Sequence, residues 1–227
     1  MIIAGIQKNS FVDFPGKVSA VVFTQGCNLN CFYCHNHELI GENCNNPIKG
    51  DILFDMLSER KGFLDGVVVS GGEPTLQGGL INFQKKIKDM GYSVKLDTNG
   101  TKPEILEEII KMGLVDYIAM DVKAPLGKYG KICRTDLYTD RIKESIDLLK
   151  CSGVDYEFRT TIAPGLNADD LCQIAQSIAG ARLFVLQKCR EVEGLDFKSS
   201  IPSQYLSDIM QKVQSRVDKV VIRGVAI

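Results

Sequence analysis

Short apolar runs rich in β-branched residues recur along the chain at 18–24, 66–70, 92–96, 117–122, 154–162, 183–186 and 217–222. Between most of them lie segments whose apolar residues fall at helical spacing: 52–60, 80–90, 103–112, 141–149, 169–178 and 204–213. Strand, helix, strand at this rhythm requires right-handed crossovers and gives a mainly parallel sheet. Boundary residues agree with the pattern. Pro103 suits a first helical turn, where Glu104 and Glu107 complement the dipole. Asn167 is placed to cap the segment opened by Asp169 and Asp170. The sequence shows no repeat, no low-complexity tract and no Pro- or Ser-rich linker, so residues 1–227 are expected to form one domain. About six βα units are too few for an eight-fold closed barrel. The expected fold is therefore α/β, a partial (β/α)6 barrel with a curved, mainly parallel sheet.

Composition narrows the function classes. The 227 residues are 44% hydrophobic with a net charge of −1, which gives no electrostatic reason to expect nucleic acid as a partner. No apolar run approaches the roughly 20 residues that cross a bilayer, and MIIAGIQKNS lacks the form of a secretory signal. A cytoplasmic protein is expected, with its eight cysteines as thiols or metal ligands rather than disulfides.

The unusual residues gather at strand ends. QGCNLNCFYCHN follows the first run, Ser70-Gly71-Gly72-Glu73-Pro74 the second and Asp97-Thr98-Asn99-Gly100 the third. Asp121-Val122-Lys123 ends the fourth, Arg159-Thr160-Thr161 falls in the fifth and Gln187-Lys188 follows the sixth. All six belong to the C-terminal rim, where parallel barrels and sheets build their sites. Cys27, Cys31 and Cys34 are separated by three and two residues. A structural zinc site is usually closed by four protein ligands, and His35 and His37 lie in the same short loop rather than on a separate segment. Three buried thiols without a metal would not need this spacing. A cubane iron–sulfur cluster takes thiolates at short loop spacings, and three of them leave one iron open to a small molecule. That arrangement points to catalysis rather than to simple electron carriage.

Cys27-x-x-x-Cys31-x-x-Cys34, with aromatic Tyr33 before the third cysteine, resembles the signature of the radical S-adenosylmethionine (SAM) superfamily. The resemblance implies a 4Fe–4S cluster on the three cysteines. It also implies SAM at the open iron, cleaved by one electron to a 5′-deoxyadenosyl radical that abstracts hydrogen. Ser70–Pro74 resembles the family's glycine-rich SAM motif. Gly71 and Gly72 would let the backbone approach a ligand closely, and Glu73 offers a carboxylate on the same loop. SFVDFPGKVSAVVFTQGCNLNCFYCHN is similar to the opening of glycyl-radical-enzyme activases, particularly those serving the anaerobic ribonucleoside-triphosphate reductase. The likeness continues through KLDTNG, MDVKAP, RTTIAPG and FVLQK. It implies that Asp97, Asn99 and Lys123 lie around SAM, with Arg159 either a further contact or an ion-paired group. Asp97 and Asp121 match a pair associated with a monovalent cation; two carboxylates facing a ligand carboxylate need a positive partner, which Lys123 could equally supply. The implied partners are a glycyl radical enzyme and an electron donor of flavodoxin or ferredoxin type.

Other residues carry plainer expectations. His35 and His37 are read as loop structure. Cys44 lies ten residues beyond Cys34 and is not expected as a ligand. Cys133, Cys151, Cys172 and Cys189 lack paired spacing, so no auxiliary cluster is indicated, and most are expected in the core. Asp13, in VDFPG, resembles an acidic position of the activases and is weighed as a contact to the partner's glycine loop against a turn residue beside Pro15-Gly16. Two other classes fit part of the pattern: a small-metabolite radical SAM enzyme such as a 7-carboxy-7-deazaguanine synthase, and a bare iron–sulfur electron carrier. The GGEP, DTNG and MDVK segments disfavour the carrier. A chain used up by six units leaves the barrel mouth open, which favours a macromolecular substrate.

Overall fold

A computed structural model describes residues 1–189 and 203–224. Its centre is one eight-stranded sheet in which every strand neighbours the next in sequence. Strand β1 (Ile3–Phe14) pairs antiparallel with β2 (Lys17–Thr24). Strands β3 (Gly66–Gly71), β4 (Ser93–Thr98), β5 (Tyr117–Asp121), β6 (Asp155–Ile162), β7 (Phe184–Lys188) and β8 (Val220–Arg223) continue parallel to β2. The crossovers carry α1 (Gly50–Glu59), α2 (Leu80–Asp89), α3 (Pro103–Lys111), the short α4 (Tyr129–Ile132), α5 (Thr139–Cys151), α6 (Ala168–Ser177) and α7 (Ser203–Gln214). The result is the expected partial barrel, and every expected strand and helix is present with ends within three residues of the pattern.

Two elements were not foreseen. Strand β1 has five polar or charged residues and one glycine among its twelve (IAGIQKNSFVDF), and only three of the twelve are buried, so it shows no strand periodicity. It forms because Pro15 and Gly16, the latter at φ +72°, close a tight turn that folds it back on β2. Register irregularities between Gln7, Ser10 and Phe14 make it longer than its partner. The single turn of α4 is too short for a periodic signal. The helix starts came out as read: Pro103 opens α3, and Asn167 and Asp170 form a reciprocal capping box on α6.

Alternation along the strands divides the interior. Outward residues such as Val22, Val67, Val69, Leu96, Ile118 and Phe158 join Leu57, Ile87, Ile109 and Ile146 of the helices in the main core. Inward residues differ. Phe14, Val21 and Val68, with Phe23 and Tyr117 against them, make a small separate apolar cluster towards the N-terminal end of the barrel. Above it the inner face turns polar. Among the described residues no helix is long and apolar enough to cross a membrane.

Candidate active site

Beyond β2 the chain turns at Gly26 (φ +94°) into the cysteine loop. The loop is anchored twice over. Gly26 and Cys27 N–H groups donate to the carbonyls of Leu39 (2.8 Å) and Ile40 (3.1 Å) on its return, and Asn30 and Phe32 N–H groups donate to Cys133 (3.1 Å) and Ile132 (3.3 Å) at α4. Asn99, beyond β4, donates through Nδ2 to Asn28 Oδ1 (3.0 Å) and to Cys27 Sγ (3.9 Å), and Asn28 donates to Thr101 Oγ1 (2.9 Å). Cys31 is buried, and Cys27 and Cys34 are half-buried. Burial pushes the Cys27 thiol up to about 12 and raises Cys34 as well. A hydrogen bond from Cys133 outweighs burial at Cys31 and lowers it to about 7, with Cys133 raised in return. The thiolate is the form that binds metal.

The glycines of the next loop also have a close neighbour within the chain. A Cβ on Gly71 (φ +119°) would stand 2.2 Å from the Thr24 nitrogen, and one on Gly72 would stand 2.2 Å from the Gly26 carbonyl oxygen. The close approach is to the backbone entering the cysteine loop. Two hydrogen bonds, Gly72 N–H to Thr24 (2.9 Å) and Glu73 N–H to Gly26 (2.7 Å), close that contact. Glu73 is fully buried. Its carboxylate accepts from Thr75 N–H (3.0 Å), the Thr75 hydroxyl (2.5 Å), the Thr98 hydroxyl (2.8 Å) and Asn99 N–H (2.6 Å). Burial raises its pKa and these donors counter the rise. Glu73 therefore ties three rim loops together.

Deeper in the barrel the inner face is a chain of ion pairs. Asp97 Oδ1 is contacted by Lys95 Nζ and by Arg159 Nη1 (3.4 Å), and its Oδ2 accepts from the Ser70 hydroxyl (3.1 Å). Asp121 accepts from Arg159 Nε at Oδ1 (2.9 Å) and from Lys123 Nζ at Oδ2 (2.8 Å). Burial alone would raise both carboxyls. Arg159 and Lys95 instead hold Asp97 below the usual range, and Arg159 and Lys123 hold Asp121 at about 2. Below them Arg223 makes a bidentate pair with buried Glu157 (2.8 and 2.7 Å), which also accepts from the Tyr117 hydroxyl (3.0 Å). Sequence reasoning named Asp97, Asp121, Lys123 and Arg159 but missed Lys95, Glu157 and Arg223. The available signal was spacing: Lys95 stands two residues before Asp97, and Glu157 two before Arg159, on the same face of their strands.

One cavity of about 1060 Å³ joins these parts. Cys27, Cys31, Cys34, Tyr33, Gly71, Gly72, Glu73, Asp97, Asn99, Asp121, Lys123, Arg159 and Asp13 all line it. A hollow of about 200 Å³ beside Met1 and Phe54 holds none of them. Asp13 lies on β1 rather than in the turn, its carboxylate 2.5 Å from the Ser10 hydroxyl, near the end of the barrel away from the thiols. His35 borders the cavity and His37 and Cys44 do not. Of the scattered cysteines, Cys133 and Cys189 are buried, but Cys151 is exposed and Cys172 partly so, so half of that expectation fails.

A parallel partial barrel with three thiols on one rim loop, above buried ion pairs, has the layout of an iron–sulfur barrel enzyme. Comparison makes the class specific: residues 21–178 match the family model of the radical SAM superfamily, and the chain belongs to that family. It is therefore a radical SAM enzyme, of a family that works with a 4Fe–4S cluster and SAM. A protein of Methanocaldococcus jannaschii, provisionally named a glycyl-radical enzyme activating enzyme, is 37% identical over 99% of this chain and 96% of its own length. The pyruvate formate-lyase-activating enzyme of Clostridium pasteurianum is 30% identical over 79% of this chain and 77% of its own. Among solved structures, Streptococcus suis SuiB bound to S-adenosylmethionine superposes with a TM-score of 0.71 at 15% identity, over 90% of this chain and 50% of that one.

The residues present fit such a cluster. Three thiols face one cavity, and between them the Tyr33 hydroxyl is buried with no hydrogen-bond partner among the described residues. Such a group costs roughly 1–3 kcal/mol unless something bound completes it.

Proposed function

We propose that this chain is an activase that installs a glycyl radical on a partner enzyme. The observation that carries the reading is the cavity. At about 1060 Å³ it stands at the top of the roughly 300–1,000 Å³ range of small-molecule pockets, and it runs from the thiols at one end to Asp13 at the other. A SAM-sized ligand at the thiol end leaves space for an extended segment of a protein substrate. The similarity to the Methanocaldococcus jannaschii protein over nearly the whole of both chains supports the same reading.

Cys27, Cys31 and Cys34 would hold the cluster, with Asn99 steadying Cys27. When bound, the cluster and SAM supply a carbon-centred radical able to remove a hydrogen atom. The protein's own part is positioning. Gly71 and Gly72 pack the second loop against the cysteine loop, Glu73 locks that loop to Asn99, and Lys123 presents a positive charge to an anionic group of SAM. No protein base is needed, because a hydrogen atom moves rather than a proton. Glycine suits the receiving end, since a residue without Cβ reaches furthest into a narrow site. The partner we favour is an anaerobic ribonucleoside-triphosphate reductase. A pyruvate formate-lyase is the second reading, favoured by the Clostridium pasteurianum relative. The test mixes the reconstituted protein anaerobically with SAM, a flavodoxin or chemical reductant and each candidate partner. A glycyl radical doublet in electron paramagnetic resonance (EPR) should grow on the reductase. A doublet on the lyase alone selects the second reading, and SAM cleavage with no doublet on either removes the activase reading.

A further inference from the structure

We propose that Lys95 is a positioning residue whose buried ammonium neutralises Asp97 from within, so that this carboxylate pair needs no bound alkali cation. The inference rests on reading this pocket as the SAM site.

Lys95 is 1% exposed, a burial that lysine tolerates only beside an opposite charge. Its ammonium contacts Asp97 Oδ1. The pairing is set by the strand alone, since residues two apart on β4 share the inner face. Asp121 and Lys123 repeat the spacing at the end of β5, bonded at 2.8 Å. Arg159 stands opposite Asp121 in the β5–β6 register and reaches both carboxylates, at 2.9 Å from Asp121 and 3.4 Å from Asp97.

The consequence follows from counting donors and charges. All four carboxylate oxygens already have a protein donor: Lys95 and Arg159 on Asp97 Oδ1, Ser70 on Asp97 Oδ2, Arg159 on Asp121 Oδ1 and Lys123 on Asp121 Oδ2. Three cationic side chains face two carboxylates, an excess of one positive charge. An alkali ion added there would displace a donor and raise the excess to two. What the set lacks is an anion, and Lys123, nearest the cysteine loop, is placed to meet one on a ligand. Without Lys95, Asp97 would keep Arg159 and Ser70 alone, and an inorganic cation would find an under-neutralised oxygen.

The test compares the full-length wild-type protein with Lys95→Met, Lys95→Gln and Lys95→Arg in choline chloride and in potassium or sodium chloride at equal ionic strength. The melting temperature of the cluster-free protein and the SAM affinity of the reconstituted protein are both measured. Wild type and Lys95→Arg should behave alike in all three salts. Lys95→Met and Lys95→Gln should bind SAM about tenfold more weakly in choline, with potassium or sodium restoring most of the loss and raising the melting temperature. A wild-type protein that itself requires an alkali ion overturns the proposal, as do Lys95 variants that lose nothing or regain nothing with added cation. If Lys95→Met does not fold, Lys95→Gln and the wild-type salt comparison decide. The melting arm needs neither SAM nor a partner enzyme, so a failure of the SAM or activase reading is seen separately.

Discussion

The two faces of one sheet contrast sharply. On the outer face Val94, Leu96, Ile118, Met120 and Phe158 are fully buried against helices. On the inner face the alternate positions of the same strands are Lys95, Asp97, Asp121, Glu157 and Arg159, joined in ion pairs. Apolar burial is non-directional, contributing roughly 1.5–3 kcal/mol per large side chain whatever its exact neighbours. A buried charge is tolerated only beside its partner, and loss of that partner costs more than the pair contributed. The outer face therefore holds the fold, and the inner face fixes the positions of charges. The two should be separable by mutation.

The largest separation belongs to the cysteine loop. Replacing Cys27, Cys31 or Cys34 by Ala should reduce SAM cleavage to background and lower the iron bound on reconstitution from about four per chain, with the cluster-free protein still folded by circular dichroism. Cys44→Ala should keep both cluster and cleavage. A Cys44 variant that alone loses its iron would show that the ligand set has been misassigned.

On the outer face the order reverses. Phe158→Ala empties a fully buried site between sheet and helices and should cost about 3–5 kcal/mol in urea unfolding. SAM affinity, measured where the variant remains folded, should change by less than about threefold, because Phe158 points away from the cavity. A loss of affinity as large as the loss of stability would mean that the two faces are not independent.

The inner face should show itself through pH. The Asp121 carboxyl is held at about 2 against an ordinary value of 3.8, so the folded state takes up its proton less readily than the unfolded chain. That stabilisation is complete above about pH 4 and is lost as pH falls towards 2. It amounts to about 2 kcal/mol at neutral pH. Urea unfolding of wild type and Asp121→Asn should therefore differ most at neutral pH and converge on acidification. A difference that stays constant down to pH 2.5 would show that the Arg159 and Lys123 contacts do not stabilise the charged carboxylate.

What could be read from the sequence follows the same division. Outer-face residues recur with a period, so strands such as β5 and helices such as α3 are visible as apolar runs. The cysteine loop, GGEP and DTNG were visible because their residue types are rare together. Lys95 and Glu157 were not, since a single charge in the middle of a strand looks the same whether it meets solvent or a buried partner. Arg223 hid for a further reason: its partner Glu157 lies 66 residues away. The glycines of GGEP were noticed for their freedom but not for the Thr24 and Gly26 backbone they pack against, because sequence does not say which backbone will come within 2.2 Å of a missing Cβ. Strand β1 depends on a partner strand and a Pro-Gly turn rather than on its own pattern.

The smallest expected effect lies at the far end of the cavity, on the unforeseen strand. Asp13 accepts a 2.5 Å hydrogen bond from Ser10, whose oxygen in turn accepts from the Val12 (3.3 Å) and Asp13 (3.2 Å) N–H groups. This closed local loop could be purely structural, holding the irregular end of β1. Yet Asp13 also borders the cavity that holds the thiols. It lies near the Phe14–Lys17 pairing, whereas the thiol loop starts beyond Thr24, roughly 20 Å further along β2 at about 3.3 Å per residue. At that distance it cannot act at the reacting glycine itself, and would instead hold the segment flanking it. Asp13→Asn keeps the side chain's shape and an acceptor for Ser10, so cluster content, melting temperature and SAM affinity should match wild type. The glycyl radical EPR signal on the partner should grow several-fold more slowly, an effect of about 1 kcal/mol on the productive complex. Ser10→Ala separates the two roles: if Asp13 only fastens the strand, both variants should lower the melting temperature and neither should slow radical installation. An unchanged rate in Asp13→Asn would confine this aspartate to the fold and shift the substrate's path away from β1.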